Sequence, residues 1–124
     1  MNCPKCTNTE LRQEVAGEIS IDRCPSCHGI WLDALELERL LASNPKELLE
    51  DDRHFEAAAH VPGPRLNCPR CKGTYLIKLN SLAHRGTILD SCTVCYGLWL
   101  DAGELARLAQ PDLMTRLRTI LGTR

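Results

Sequence analysis

A motif stated twice, eight cysteines in four pairs and two complete helix-start signals predict a small metal-stabilised α+β fold built twice within one chain. The motif CPSCHGIWLDALELERL at residues 24–40 returns 68 residues later as CTVCYGLWLDAGELARL at residues 92–108, with 11 of 17 positions identical. Over 124 residues, 44% hydrophobic and 25% charged side chains are ordinary for a globular protein. The two Trp, two Tyr and one Phe are few, however, and they leave each half little apolar area to bury. Units this small usually need disulfides, metal or a partner to hold together.

The pairs are Cys3/Cys6, Cys24/Cys27, Cys68/Cys71 and Cys92/Cys95, each with two residues between. Within each half, two such pairs separated by a spacer of 17 or 20 residues fit a tetrahedral zinc site. Two residues is the spacing at which a tight turn aims both thiolates at one ion while its backbone N–H groups bond the sulfurs, and Pro4, Pro25 and Pro69 suit such turns. All eight cysteines are therefore expected as ligands, with two zinc ions per chain; an iron site or a redox-active thiol switch is the alternative. A disulfide framework would need an oxidising compartment. A cysteine at position 3 leaves no room for a signal stretch and no apolar run approaches a membrane span, so a cytoplasmic protein is expected.

Each half reads as a β-ribbon followed by helices. Ile19 and Ile21 alternate after an Ala16-Gly17 turn, and the second copy has a longer arm turning near His84 to Gly86. The three residues by which the second spacer exceeds the first lengthen that hairpin without moving the ligands. Next comes a capping box: Asp33 as cap, Glu36 reaching back and Leu32 packing on Leu37, repeated by Asp101, Glu104, Leu100 and Leu105. The acids are thus read as caps rather than catalysts, and Gly103 is expected to weaken the second helix's start. Further helices are expected after Asn44-Pro45 and from Pro111 to a stop at Gly122, the latter with Leu113, Met114, Leu117, Ile120 and Leu121 on one face. The expected organisation is a first ribbon with its helices over residues 1–59, a linker over 60–67, and a second ribbon with its helices over 68–124. On that division, Cys24→Ser should disorder the first ribbon and spare the second.

CPKC, IDRCPSCHGIWLDALELERL and their second-copy counterparts resemble the transcription factor TFIIB-type zinc ribbon, here in tandem over roughly residues 3–40 and 68–108. The resemblance implies two zinc ribbons with the eight cysteines as ligands, and it suggests transcription as a context with RNA polymerase or another transcription component as partner. The sequence departs from the usual pattern at His28 and Tyr96, where glycine is common, and at CTVC, which lacks the proline.

His28 is not expected to bind metal, since its counterpart is Tyr96 and four thiolates already fill the site. No nucleophile has a partner motif, and closed four-cysteine sites keep no position for water, so the chain is not expected to be an enzyme. Trp31 and Trp99 are expected between ribbon and capped helix, with a partner hot spot as the other reading. The formal charge is −1, and two filled four-cysteine sites bring it to about −5, which opposes strong non-specific phosphate binding. Charge is unevenly spread: residues 1–62 carry 6 Lys/Arg against 12 Asp/Glu, residues 63–124 carry 9 against 4. Opposite faces attracting within one chain or in a homodimer explain this, and so does a basic second half that meets nucleic acid. The favoured function is a protein-interaction adaptor or regulator; direct nucleic-acid binding, and a thiol redox sensor or chaperone, are the alternatives.

Overall fold

The computed structural model describes residues 1–55, 65–80 and 88–109. The first hairpin follows the expected alternation: β1 (Arg12–Ala16) pairs antiparallel with β2 (Ile19–Arg23), and Ala16 opposite Ile19 leaves Gly17 and Glu18 as a two-residue turn. Gly17 takes a φ of +66°, which such a turn requires. The short β3 (Ile30–Leu32) joins the other edge of β2. β4 (Leu76–Asn80), β5 (Ile88–Cys92) and β6 (Leu98–Leu100) repeat the pattern. The turn expected near residues 84–86 lies outside the described residues.

The two ribbons meet. β3 pairs antiparallel with β6, Trp31 opposite Trp99, giving one six-stranded sheet ordered β1-β2-β3-β6-β5-β4. The units expected over 1–59 and 68–124 therefore share a sheet, and of the linker expected at 60–67 only residues 65–67 are described.

Side-chain alternation along β3 and β6 gives this sheet two different faces. On one, Ile19, Ile21, Ile30, Leu32, Leu40, Leu48 and Leu49 from the first half pack with Leu100, Leu105 and Leu108 from the second. These include the buried leucines of α1 (Glu36–Ser43), α2 (Lys46–His54) and α3 (Glu104–Leu108). A second cluster joins Trp31 and Trp99 with Leu11, Leu76 and cysteines of both halves. The tryptophans were expected between ribbon and helix. They are fully buried, but they lie among the cysteines, because each occupies the strand position between the residues that face the helices.

Helix ends hold three departures from expectation. Glu36 Oε1 accepts the Asp33 N–H at 2.6 Å and Glu104 Oε1 accepts the Asp101 N–H at 2.7 Å, the reaching-back half of each capping box. Asp33 itself does something else: its carboxylate accepts the Trp31 indole N–H at 3.3 Å and pairs with Arg70 at 2.7 Å. The residue leading into each helix is left-handed, Leu35 at φ +72° and Gly103 at φ +85°, so Gly103 fits its turn and Leu35 carries the strain. Asn44 closes α1 rather than opening α2. It is left-handed at φ +51° with its N–H on the Leu40 carbonyl, a conformation asparagine tolerates, and Pro45 then takes the cap position of α2. The helix expected from Pro111 to Gly122 lies outside the described residues.

Candidate metal centres

All eight expected ligands come together in two groups, Cys3/Cys6/Cys24/Cys27 and Cys68/Cys71/Cys92/Cys95, each offering four sulfurs within 4.8 Å of one another. In the first, Cys3 and Cys27 Sγ are 3.7 Å apart and Cys24 and Cys6 Sγ 3.8 Å; in the second, Cys68 and Cys95 Sγ are 3.7 Å apart. Sulfurs placed about 2.3 Å from one ion at the corners of a tetrahedron stand about 3.8 Å from each other, so the donor sets have the size and softness that zinc requires. Each group can hold one zinc, two per chain. Bound zinc supplies a fixed divalent charge and a four-armed cross-link.

The knuckles are built as their spacing predicts. Cys3 Sγ accepts the Cys6 N–H at 3.3 Å and Cys68 Sγ that of Cys71 at 3.2 Å. Cys24 Sγ accepts N–H groups from Ser26 and Cys27, and Cys92 Sγ from Val94 and Cys95, all at 3.4 Å. The Cys24 and Cys92 N–H groups bond the Gly29 and Gly97 carbonyls. The residue after each second knuckle is left-handed, His28 at φ +64° and Tyr96 at φ +61°, which explains why glycine is common there and marks both as strained.

These thiols need a cation. Crowding and burial work against ionisation: burial pushes Cys68 up to about 12, and Cys27 is raised, first by its contact with Cys3 and then by burial. At Cys92 burial acts the same way, but the N–H groups of Cys95 and Val94 outweigh it and draw the thiol down to about 7. A divalent ion must displace the remaining protons, so zinc affinity falls as pH falls.

The surroundings of the two sites interlock, a feature absent from the sequence expectations. The Trp99 ring lies so close over Gly29 that a Cβ there would stand 2.2 Å from it, and Trp31 covers Gly97 in the same way at 2.1 Å. Each indole N–H is held by the aspartate two residues on, Trp31 by Asp33 and Trp99 by Asp101. That aspartate pairs with the basic residue inside the first knuckle of the opposite half: Arg70 with Asp33 at 2.7 Å, Lys5 with Asp101 at 2.8 Å. Each site thus supports the tryptophan of the other ribbon. The sequence did offer a signal, since a glycine two residues past the second knuckle and a base after the proline of the first recur in both copies.

His28 stands outside both sulfur groups and stacks on Phe55, ring centroids 3.8 Å apart and 9° from parallel. Among the described residues no other group of His, Cys, Asp and Glu gathers closely enough to hold a metal, and no helix is long and apolar enough to cross a membrane.

Paired cysteine knuckles clipping the ends of antiparallel ribbons, two sites to a chain, define a tandem zinc ribbon, and the protein is a zinc-binding one. The chain belongs to the transcription factor zinc-finger family of TFIIB-type zinc ribbons, whose profile matches residues 2–43 and 67–111. Comparison with curated proteins and with solved structures gives no match.

Proposed function

We propose that the protein is a non-enzymatic adaptor or regulator that uses its zinc-clamped sheet as a rigid frame for a protein partner, in the transcription setting its family suggests. The observation that carries this reading is the placement of exposed apolar side chains. Of eight large hydrophobics left exposed among the described residues, five (Tyr75, Ile77, Leu79, Val94 and Tyr96) belong to the second ribbon. Such concentration marks protein interfaces more than a solvated face. Sites with all four positions filled by cysteine favour support over catalysis, and eight thiols kept free for metal suit the reducing cytoplasm.

Direct nucleic-acid binding is the second reading, favoured by exposed Tyr75 and Tyr96 in the more basic half, where bases can stack. Against it, two cations of that half are engaged internally, Arg70 with Asp33 and Lys78 with Asp90 at 3.0 Å. Affinity capture with the zinc-loaded chain separates the two. The adaptor reading expects captured protein that survives nuclease treatment and is lost with Ile77→Asp or Tyr96→Asp. Capture abolished by nuclease and indifferent to those substitutions contradicts it.

A further inference from the structure

The two copies agree at the cysteines, at the tryptophans and at the pairs Gly29/Gly97 and Asp33/Asp101, and one of the places where they diverge gathers charge in the first ribbon alone. In the first ribbon Arg12, Glu14, Arg23 and His28 line a cavity of ≈ 470 Å³ closed by α2 residues Asp51 and His54 with Phe55 after them. Counting from the knuckles, the second copy has Ile77, Leu79, Ser91 and Tyr96 at the corresponding positions. A frame repeated faithfully does not need this charged group, so it belongs to something only the first ribbon does.

Arg23 is the centre of it. The residue is only 6% exposed, yet Nε and Nη2 have no hydrogen-bond partner among the described residues. Its neighbours engage it loosely. Glu14 Oε2 lies 3.4 Å from Nε without hydrogen-bond alignment, Asp52 Oδ1 is 3.9 Å from Nη1, the His28 carbonyl accepts from Nη1 at 3.5 Å, and Phe55 offers its ring face at 5.8 Å. Asp52 is directed instead at α3, where its two oxygens accept the Gly103 and Ala106 N–H groups. A buried guanidinium with unpaired donors is costly unless an acceptor arrives. Arg12 lies directly opposite Arg23 across the β1–β2 ladder, and like charges so placed repel unless an anion bridges them.

We propose that the cavity binds an oxyanion group, a carboxylate or a phosphoryl, held by Arg12 with His54 at its side and by the Arg23 donors, which are covered in this structure and which the group reaches by displacing the half-exposed Glu14 carboxylate. Planar guanidinium donors match both groups in geometry. Glu14 and Asp51 balance Arg12 and Arg23 in formal charge, so the site suits one oxyanion held by directed donors and rejects an extended polyanion such as nucleic acid. It is independent of the adaptor reading and of the second ribbon's apolar surface.

Titration of the zinc-loaded, ¹⁵N-labelled full chain with inorganic phosphate and, separately, with acetate tests this by NMR. The proposal expects saturable shifts of the Arg23 Nε–H and the Gly29 amide, with the Gly97 amide of the second ribbon unmoved. Saturation by phosphate alone identifies a phosphoryl ligand, and saturation by acetate as well a carboxylate one. Arg12→Gln and His54→Gln, whose side chains lie outside the buried core, should weaken binding about tenfold or more while leaving two zincs bound; Arg23→Gln should abolish it if that chain loads zinc. Absence of saturable shifts with both anions, equal movement of Gly97, or binding unchanged in Arg12→Gln and His54→Gln overturns the site.

Discussion

Leu35 and Gly103 occupy the same turn in the two copies, both at positive φ, so the chain carries its own control for backbone strain. A left-handed leucine costs roughly 1–2 kcal/mol more than a glycine there, partly offset by the freedom glycine adds to the unfolded chain. Leu35→Gly is therefore expected to raise stability by about 0.5–1 kcal/mol, and Gly103→Leu to lower it by at least about 1 kcal/mol, measured by denaturant unfolding of zinc-loaded protein. Equal effects of the same sign would remove strain as the cause. Glu104 poses a different residue-scale question. Burial, aided by Asp101 and Asp90, pushes its carboxyl up to about 8 despite the bond from the Asp101 N–H, and Oε2 has no hydrogen-bond partner among the described residues. The folded state then holds the Glu104 proton more tightly than the unfolded chain. That contribution to stability is full below the ordinary glutamate range and is lost as pH rises to about 8. Over the upper part of that window, where acid does not threaten the zinc, the native chain should lose stability with rising pH and Glu104→Gln should lose markedly less. Identical slopes would show that Glu104 is ionised throughout.

At the level of elements, the helices repeat the chain's division of labour: some features were legible in local sequence and others depended on partners far away. The ribbon turn at Gly17, the helix after each WLD and the glutamate reaching back to the aspartate N–H are all local patterns, and the sequence is sufficient to place them. Asp52 is not. It is one acid in an acidic run, and the groups it serves, the Gly103 and Ala106 N–H donors at the start of α3, lie 51 and 54 residues away. A five-residue helix has little stability of its own, so a cap brought by α2 from the other half decides whether it forms. Losing two buried bonds to a charged acceptor, and removing one of the two carboxylates beside Arg23, should cost about 2–4 kcal/mol in Asp52→Ala. Hydrogen exchange should show the loss at the Gly103 and Ala106 amides; unchanged protection there would show that α3 is capped by other means.

For the whole molecule, cysteine spacing made the two metal sites legible because each knuckle is a local turn, whereas the joining of the ribbons was not legible, because β3 and β6 are three-residue strands without a signal for pairing. The repeated Gly29 and Gly97, and the repeated Lys5 and Arg70, acquire their reason only once each is seen against the opposite copy. The shared sheet, the exchanged tryptophan contacts and the crossed ion pairs make the first site part of what holds the second. Cys24→Ser, expected from sequence alone to spare the second ribbon, should therefore weaken zinc binding at Cys68/Cys71/Cys92/Cys95 as well. The most direct measurement is native mass spectrometry of the reduced, metal-free chain during a stepwise zinc titration, since structural zinc couples binding to folding. Interlocked sites predict that, at half-loading, metal-free and two-zinc chains coexist with little one-zinc species. A one-zinc form that dominates at half-loading, with the second zinc bound no more tightly than the first, would contradict a single interlocked unit.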